Sequence, residues 1–197
     1  MRKGVATREH IIQKSAELLN IQGYHGLSIS DIMRETGLQK GSIYNHFQNK
    51  DEIVLEAFNY AVDIVKNHFE NAVASQKSAY DQLLAIIRVY ENVMEAPPFV
   101  GGCPVMNIAV DSDDTHAELA EQAQVALSSF MDLVYNVLQY GIETGEFKSD
   151  MDKRMISHFI ITIIEGGVMI SKLFHSNEYI QDNNKLLIDF IKQYICK

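Results

Sequence analysis

The residue types between positions 39 and 46 are those that proteins use to bind nucleic acid. The run contains side-chain amides, hydroxyls, an imidazole and one fixed cation, and it has no acidic residue. Amides can pair with adenine edges, while cations and hydroxyls hold phosphate oxygens. Ile43 and Phe47 lie four residues apart and mark the opposite, apolar face of a short helix. We therefore predict a helix whose DNA-binding face contains Gln39, Lys40, Ser42, Tyr44, Asn45 and His46.

A second short helix is predicted to brace this one from the N-terminal side. Ile29 and Ile32 share one face, and Ser28 with Asp31 has the spacing of a capping box. Gly37 can adopt the positive φ that a sharp turn after this helix needs. Two short helices joined by a glycine turn are typical of a helix-turn-helix, which places its second helix in the major groove of DNA.

Gly41 lies inside the predicted DNA-binding helix, where glycine is unfavourable. It costs about 0.8–1 kcal/mol relative to alanine in a helix interior. A position without a side chain therefore indicates close approach of another backbone, and a DNA phosphate is the natural candidate. The alternative is an ordinary helical hairpin whose polar face is solvated. The residue types alone leave both interpretations open.

Residues 7–53 contain several motifs at defined spacing, namely Thr7-Arg8, Gly23-Tyr24, Ser28 with Asp31-Ile32, Gly37-Leu38, Lys40-Gly41-Ser42-Ile43-Tyr44, His46-Phe47 and Lys50. On these motifs the segment resembles the N-terminal domain of the tetracycline-repressor (TetR) family of bacterial transcription regulators. Gln39 departs from the family pattern, which more often has Ser or Thr capping the recognition helix. Because Gln caps poorly, Gln39 is instead a candidate base or phosphate contact.

The resemblance implies an all-α protein with two domains. Residues 1–50 would form a three-helix helix-turn-helix DNA-binding domain, and residues 51–197 a helical ligand-binding and dimerisation domain. It also implies a ligand-responsive repressor that binds a palindromic operator as a homodimer, with recognition helices about 34–36 Å apart. A small apolar effector would displace the helix from Lys50 to Ala74 and so weaken the binding of double-stranded DNA.

The predicted DNA-binding residues divide by their chemistry. Side-chain amides and a hydroxyl are expected to read base edges, from Gln39, Ser42 and Asn45. Phosphate contacts are expected from Ser28, Lys40, Tyr44, His46 and Lys50, with Gly41 allowing close approach. A preceding helix is predicted to start at Thr7, which leaves Arg2, Lys3 and Arg8 in or near a flexible tail. That tail is either a further phosphate or minor-groove contact or merely solvated.

The formal net charge of −9 is unevenly distributed. Residues 1–50 contain seven Lys or Arg and four Asp or Glu, a net charge of +3, so the remainder has −12. A basic head on an acidic body is expected when only the head meets phosphate. Two cysteines, Cys103 and Cys196, are too few for a disulfide framework, and no signal-peptide pattern follows Met1. We therefore expect a cytoplasmic protein.

The segment from Met155 to Phe174 is nearly long and apolar enough to cross a membrane. His158, Glu165 and Lys172 interrupt this segment. We therefore expect a helix of a soluble protein that is buried on several of its sides. With the C-terminal helix it is predicted to form half of a homodimeric four-helix interface. The alternative is a core helix of a monomer.

A helical body of this size can enclose an apolar cavity with a few polar anchors. The candidate walls are Phe58, Val62, Tyr90, Met94, Phe130 and Val134, with Glu165 and His158 as candidate anchors. The family resemblance adds Cys103, Met106 and Asn107, because similar Gly-Cys segments adjoin the ligand cavity in TetR-like proteins. Plain core packing is the alternative for each wall residue. Cys103 is interpreted as a packing residue, with a reactive sensor thiol as the alternative.

Asp111, Asp113, Asp114 and His116 are residue types that bind metals, but their spacing lacks the glycine and distal glutamate of a calcium loop. We interpret them as a solvated acidic loop and predict neither a metal site nor a cofactor. The sequence contains no phosphate-binding glycine loop and no nucleophile elbow, so it does not indicate an enzyme. The alternative function is an all-helical small-molecule or thiol-redox sensor that acts through a protein partner.

Overall fold

The fold, seen in a computed structural model, is built from α-helices, as the sequence analysis predicts. The structure describes residues 2–112 and 115–197, with side chains from Gly4 onward. Of the residues that the structure describes, 77% are helical. Within the described ranges there is no β-strand, and one isolated bridge joins Phe147 to Cys196.

The helices follow one another through connections of very different length. A π-helical turn, Ile191–Ile195, continues directly from the last of them. The helices are α1 Arg2–Gly26, α2 Ile29–Thr36, α3 Lys40–Tyr44, α4 Lys50–Ala74, α5 Ala79–Arg88, α6 Pro104–Ser112, α7 Ala117–Glu143, α8 Lys153–Phe174 and α9 Glu178–Phe190.

Helix α1 starts earlier than predicted and is kinked near its end. It extends to Arg2, so the prediction of a helix starting at Thr7 after a flexible tail is wrong. It also continues to Gly26 across a kink at Gly23, where φ is 73° and ψ is 175°. That positive φ is one that residues with a Cβ rarely adopt.

The chain divides into two compact units. The first contains the residues up to Ile64 together with Phe99–Gln124, and the second contains Val65–Pro98 and Val125–Lys197. Helix α6 therefore belongs to the same compact unit as α1, α2 and α3. The functional division between residues 50 and 51 stays a prediction.

The first three helices each bury one apolar stripe. Ile11 and Leu19 of α1, Ile32 of α2 and Ile43 of α3 are almost completely buried, and so is Phe47 just after α3. Burying a side chain of this size stabilises the folded state by about 1.5–3 kcal/mol. The predicted apolar faces of the helix-turn-helix are therefore the faces that form its core.

In the second unit, α8 and α9 pack closely where α8 has a glycine. A Cβ on Gly167 would lie 2.5 Å from Cδ1 of Ile180 and 3.3 Å from its Cα, so a larger residue at this crossing would require the Ile180 side chain to move. The amide of Asn183 donates to the Ile163 carbonyl at 3.2 Å, and the Ser171 hydroxyl accepts from Ile180 N–H at 3.0 Å. Helix α8 would be long and apolar enough to cross a membrane by length and composition alone, yet 39% of its apolar 18-residue window is buried within the protein.

Helix α5 is capped from a distant part of the chain. The Glu146 carboxylate accepts hydrogen bonds from Ala79 N–H at 3.0 Å and Tyr80 N–H at 3.1 Å, and the Thr144 hydroxyl donates to it at 3.1 Å. Burial acts to raise the pKa of Glu146, but these three hydrogen bonds together lower it. The carboxylate thus satisfies backbone donors that the first turn of α5 leaves without intrahelical partners.

Candidate nucleic-acid interface

Helix α2 has the capped start and the glycine stop that its sequence predicts. The Ser28 hydroxyl accepts from Asp31 N–H at 3.2 Å, and the Asp31 carboxylate accepts from Ser28 N–H at 3.1 Å. Gly37 adopts φ 71° and donates its N–H to the Met33 carbonyl at 2.9 Å. The hydrogen bonds from Ser28 and then from Arg34 lower the pKa of Asp31. The Ser28 hydroxyl is therefore engaged in its own helix cap.

Helix α3 begins at a residue whose side chain takes no part in capping. Gln39 occupies the N-cap position in extended conformation, and its side chain makes no cap hydrogen bond. Its backbone carbonyl accepts from Ser42 N–H at 2.9 Å, which closes the first turn. The exposed Gln39 amide thus lies at the start of the recognition helix.

The predicted DNA-binding residues of α3 share one accessible surface. Lys40 and Tyr44 lie one turn apart, with the ammonium 5.8 Å from the ring centroid. A Cβ added to Gly41 would have no other atom within 4 Å. We call this surface the α3 face: Gln39, Lys40, Gly41, Tyr44 and Asn45 are exposed, and Ser42 and His46 are half-buried. The space beside Gly41 is therefore open, and contact with a phosphate there stays a prediction.

Lys50 differs from the other predicted phosphate contacts because its ammonium is bound within the protein. It donates to the Tyr24 carbonyl at 2.6 Å and lies 4.4 Å from the centroid of the Tyr24 ring. Burial lowers the pKa of Lys50, although the nearby carboxylates of Asp51 and Asp111 act in the opposite direction. Its side chain is directed at the end of α1.

Arg8 is part of α1 and is bonded within the protein, contrary to its predicted place in or near a tail. Its guanidinium forms a bidentate pair with the Glu56 carboxylate and lies 4.7 Å from the centroid of the Phe47 ring. The hydrogen bond to Glu56 raises the pKa of Arg8. Arg8 therefore joins α1 to α4 inside the first unit.

Comparison with known proteins identifies the family to which this chain belongs. The sequence family described as "Tetracyclin repressor-like, C-terminal domain" matches residues 79–187, and that described as "Bacterial regulatory proteins, tetR family" matches residues 11–57. A TetR transcriptional regulator from Chloroflexus aurantiacus is 36% identical, with a TM-score of 0.96 over 100% of this chain and 99% of that one. The chain belongs to the tetracycline-repressor family.

Further relatives of this TetR-family chain are more distant. The transcriptional repressor DhaR of Mycobacterium sp. strain GP1 is 24% identical over 87% of this chain and 85% of that protein. CifR, solved as a cysteine mutant with a 26-base-pair operator, is 16% identical, with a TM-score of 0.83 over 92% and 94% of the two chains. That likeness concerns the fold. The chain is a TetR-family transcriptional regulator with a DNA-binding helix-turn-helix.

This regulator has a polar cluster at the end of α1 that is not predicted from its sequence, and we call it the Tyr24 junction. Tyr24 N–H donates to the Asp111 carboxylate at 2.5 Å, and the Tyr24 hydroxyl donates to Asp51 at 2.8 Å. The Lys50 ammonium binds the Tyr24 carbonyl, and the His116 ring packs edge-on at 4.9 Å. The bond to Asp51 raises the pKa of the Tyr24 hydroxyl. In the sequence, the Gly23-Tyr24 pair is the only motif that points to this cluster.

The predicted effector residues are divided between the two units. The first unit contains Phe58, Val62, Cys103, Met106 and Asn107, and the second contains Tyr90, Met94, Phe130, Val134 and Glu165. Within the second unit, Phe69 brings two of them together, with ring centroids 5.9 Å from Tyr90 and 5.2 Å from Phe130. Their role in binding a ligand stays a prediction.

Asn107 is used for packing between helices in the first unit. Its amide nitrogen donates to the Asn20 carbonyl at 3.0 Å, to the Asn20 side-chain oxygen at 2.9 Å and to the Gly101 carbonyl at 3.1 Å. The Asn20 amide in turn donates to the Val100 and Gly102 carbonyls at 2.6 and 3.1 Å. Asn20 and Asn107 thus join α1 to the start of α6.

Of the acidic loop considered as a metal site, Asp113 and Asp114 lie outside the described residues. Asp111 accepts from Tyr24 N–H, and His116 lies 3.8 Å from the Asp51 carboxylate. Across residues 2–112 and 115–197 there is no group of three or more potential metal ligands. Asp111 and His116 are thus occupied by bonds and contacts with α1 and α4.

Proposed function

We propose that this regulator is a repressor that binds a palindromic operator as a homodimer and releases it on binding a small apolar effector. The observation that carries the proposal is the α3 face, a polar surface held on a buried scaffold. Its exposed amides and cation have the chemistry of a major-groove reader. DhaR, a relative of similar length, is named a transcriptional repressor, which supports the same mode of action.

The α3 face has separate candidates for base reading and for phosphate binding. Gln39, Ser42 and Asn45 are proposed to contact base edges, since their amides and hydroxyl both donate and accept hydrogen bonds. Lys40, Tyr44 and His46 are proposed to hold phosphates on either side of the groove. Ser28, at the capped start of α2, is proposed to contact the phosphate backbone of the DNA. Gly41 gives the phosphate room to approach.

Dimerisation is proposed to use the exposed apolar surface of α8 and α9. A single chain leaves Leu173 and Leu186 each 71% exposed, and Met155 66% exposed. Exposed apolar residues in such number on two packed helices are typical of a protein interface. A dimer presents two α3 faces, as a palindromic operator requires. We expect the dimer to act in the cytoplasm, without a membrane.

The effector is proposed to bind among the apolar residues of the second unit, near Tyr90, Met94, Phe130 and Val134, with Glu165 as a polar anchor. It would favour a conformation in which α4 is displaced and DNA is bound less tightly. A coupling free energy of about 1–3 kcal/mol is enough for a change of about 5- to 150-fold in operator affinity.

Selection of bound duplexes from a random DNA pool tests the proposal. The purified protein should enrich an inverted repeat whose half-sites are about 10 base pairs apart, centre to centre. Binding of that duplex should fall steeply with salt, because phosphate contacts release counterions. If folded protein retains no duplex even at low salt, the operator-binding proposal is wrong.

A further inference from the structure

Tyr24 is bonded at both of its backbone groups by residues from different helices. Its N–H donates to Asp111 of α6 at 2.5 Å, and its carbonyl accepts from Lys50 of α4 at 2.6 Å. Lys50 also lies against the Tyr24 ring, while the Tyr24 hydroxyl reaches Asp51 in the same turn of α4. The end of α1 is therefore held between α4 and α6.

The Gly23 kink is shaped to receive the Asp111 carboxylate. A Cβ at Gly23 would lie 2.9 Å from the nearer carboxylate oxygen, closer than Cβ atoms approach other atoms. The positive φ of 73° also favours glycine at this position. The carboxylate thus occupies space that a side chain at residue 23 would fill, and charge-assisted bonds of this kind are stronger than neutral ones.

A second link between the same two helices lies one turn earlier. Asn20 and Asn107 are bonded to each other, four residues before Tyr24 and Asp111 respectively. Two links one helical turn apart fix how α6 is placed along α1 and how it is rotated about its own axis. Helix α1 packs directly on α2 of the helix-turn-helix.

We infer that Lys50 and Asp111 are positioning residues for operator binding: they fix the end of α1, and through it the α3 face, without contacting DNA. This rests on the proposed operator binding. It assigns Lys50 a role different from the phosphate contact that its place at the start of α4 suggests. Its ammonium already has a carbonyl and an aromatic face as partners within the protein.

Salt dependence separates positioning from phosphate contact. Affinity for the enriched inverted repeat is measured across a range of salt concentrations for wild type, Lys50→Met and Lys40→Met. Both substitutions remove one ammonium and keep an unbranched side chain. Lys40→Met should reduce the slope of log affinity against log salt by about 1.8, since the dimer loses two phosphate contacts and each is worth about 0.9. Lys50→Met should lower affinity about 10-fold and leave the slope unchanged.

Asp111 gives a test in which positioning and simple charge effects have opposite signs. Removing a negative charge should strengthen attraction to DNA if the carboxylate acts only through its long-range field. Positioning predicts that Asp111→Ala weakens binding about 10-fold, because Tyr24 N–H loses its acceptor. Glu121→Ala is the matched control, since it removes an exposed carboxylate from the same unit and should not weaken binding.

Conservative variants distinguish positioning from loss of folding. Asp111→Asn keeps an oxygen acceptor for Tyr24 N–H and should bind within about twofold of wild type. Tyr24→Phe removes only the bond to Asp51 and should weaken binding about two- to fivefold. All affinities are compared for proteins that keep the wild-type circular dichroism spectrum.

Two results would overturn the inference while leaving operator binding by the wild type intact. One is a salt slope for Lys50→Met reduced as much as for Lys40→Met, which would make Lys50 a phosphate contact. The other is wild-type or tighter binding by folded Asp111→Ala. Failure of the wild type itself to enrich any duplex would instead reject the proposed function.

Discussion

The α3 face and the exposed apolar surface of α8 and α9, which we call the α8–α9 surface and which includes Met155, Leu173 and Leu186, have opposite chemistry. The α3 face presents amides, hydroxyls and a cation around an open glycine. The α8–α9 surface presents large apolar side chains such as Phe174 and Leu186, which are 60% and 71% exposed. The chemistry of an exposed surface indicates which class of partner it can bind. The first is suited to a polyanion with hydrogen-bonding edges, and the second to another apolar surface.

The Tyr24 junction is a third kind of region, in which the polar groups are bonded within the chain and do not face a partner. Its carboxylates and ammonium are as polar as those of the α3 face, yet each has a defined partner a few ångströms away. Substitutions should therefore affect DNA recognition at the α3 face and assembly at the α8–α9 surface. Polar residues bonded within the chain should act through geometry or stability.

The largest effect is expected for a charge placed on the α8–α9 surface. Leu186→Glu should convert the dimer to monomer, because burying an unpaired carboxylate at an interface is strongly unfavourable. A monomer has one α3 face, so operator affinity should fall at least about 100-fold through loss of the second half-site contact. Sedimentation velocity and a duplex-binding titration measure the two effects.

Val125→Glu is the matched control for the dimer prediction. Val125 is 67% exposed on α7, and the same charge there should leave both assembly and operator binding unchanged. A dimer that survives Leu186→Glu would show that the α8–α9 surface is not the dimer interface.

The next largest effect is expected for a base-reading side chain on the α3 face. Asn45→Ala should cost about 1–3 kcal/mol with the preferred duplex and relax the preference at one position of each half-site. Lys40→Ala should instead weaken all duplexes alike. Repeating the selection with each variant measures this, and an unchanged consensus for Asn45→Ala would exclude Asn45 as a base contact.

The parts of this structure that sequence could predict are those set by neighbouring residues. The Ser28–Asp31 capping box, the stop at Gly37 and the burial of Ile43 are confirmed, because each follows from residues within one or two turns. The inward direction of Lys50 could not be predicted in this way. It depends on a carbonyl that lies 26 residues earlier in the chain.

The same reason explains why Arg8 and Asp111 were misinterpreted. Arg8 is bonded to Glu56, 48 residues away, and Asp111 is bonded to Tyr24, 87 residues away. A charged residue near a DNA-binding motif, or in an acidic loop, carries no local sign of whether its partner is DNA, solvent or another helix. Those partners become visible only when the packing of α1 on α4 and α6 is known.

A smaller effect, with opposite signs in stability and binding, is expected at Gly41. Gly41→Ala should raise the free energy of unfolding by up to about 1 kcal/mol, since alanine favours a helix and its Cβ meets no atom within 4 Å. If a phosphate lies there in the complex, the added methyl group should weaken DNA binding at least about fivefold. Thermal melts and duplex titrations measure both, and undiminished binding would contradict close phosphate approach.

The smallest effect is expected at Glu146, whose carboxylate caps α5 and has no part in either exposed surface. Glu146→Gln should lower the free energy of unfolding by about 0.5–2 kcal/mol at neutral pH and leave operator preference unchanged. Because the folded-state pKa of Glu146 is lowered, its contribution is complete above the ordinary value of 4.5 and is lost as the pH falls through the folded value. The stability difference between wild type and variant should therefore shrink on acidification. Asp150→Asn, an exposed carboxylate nearby, is the control, and a difference independent of pH would show that the Glu146 charge does not stabilise the cap.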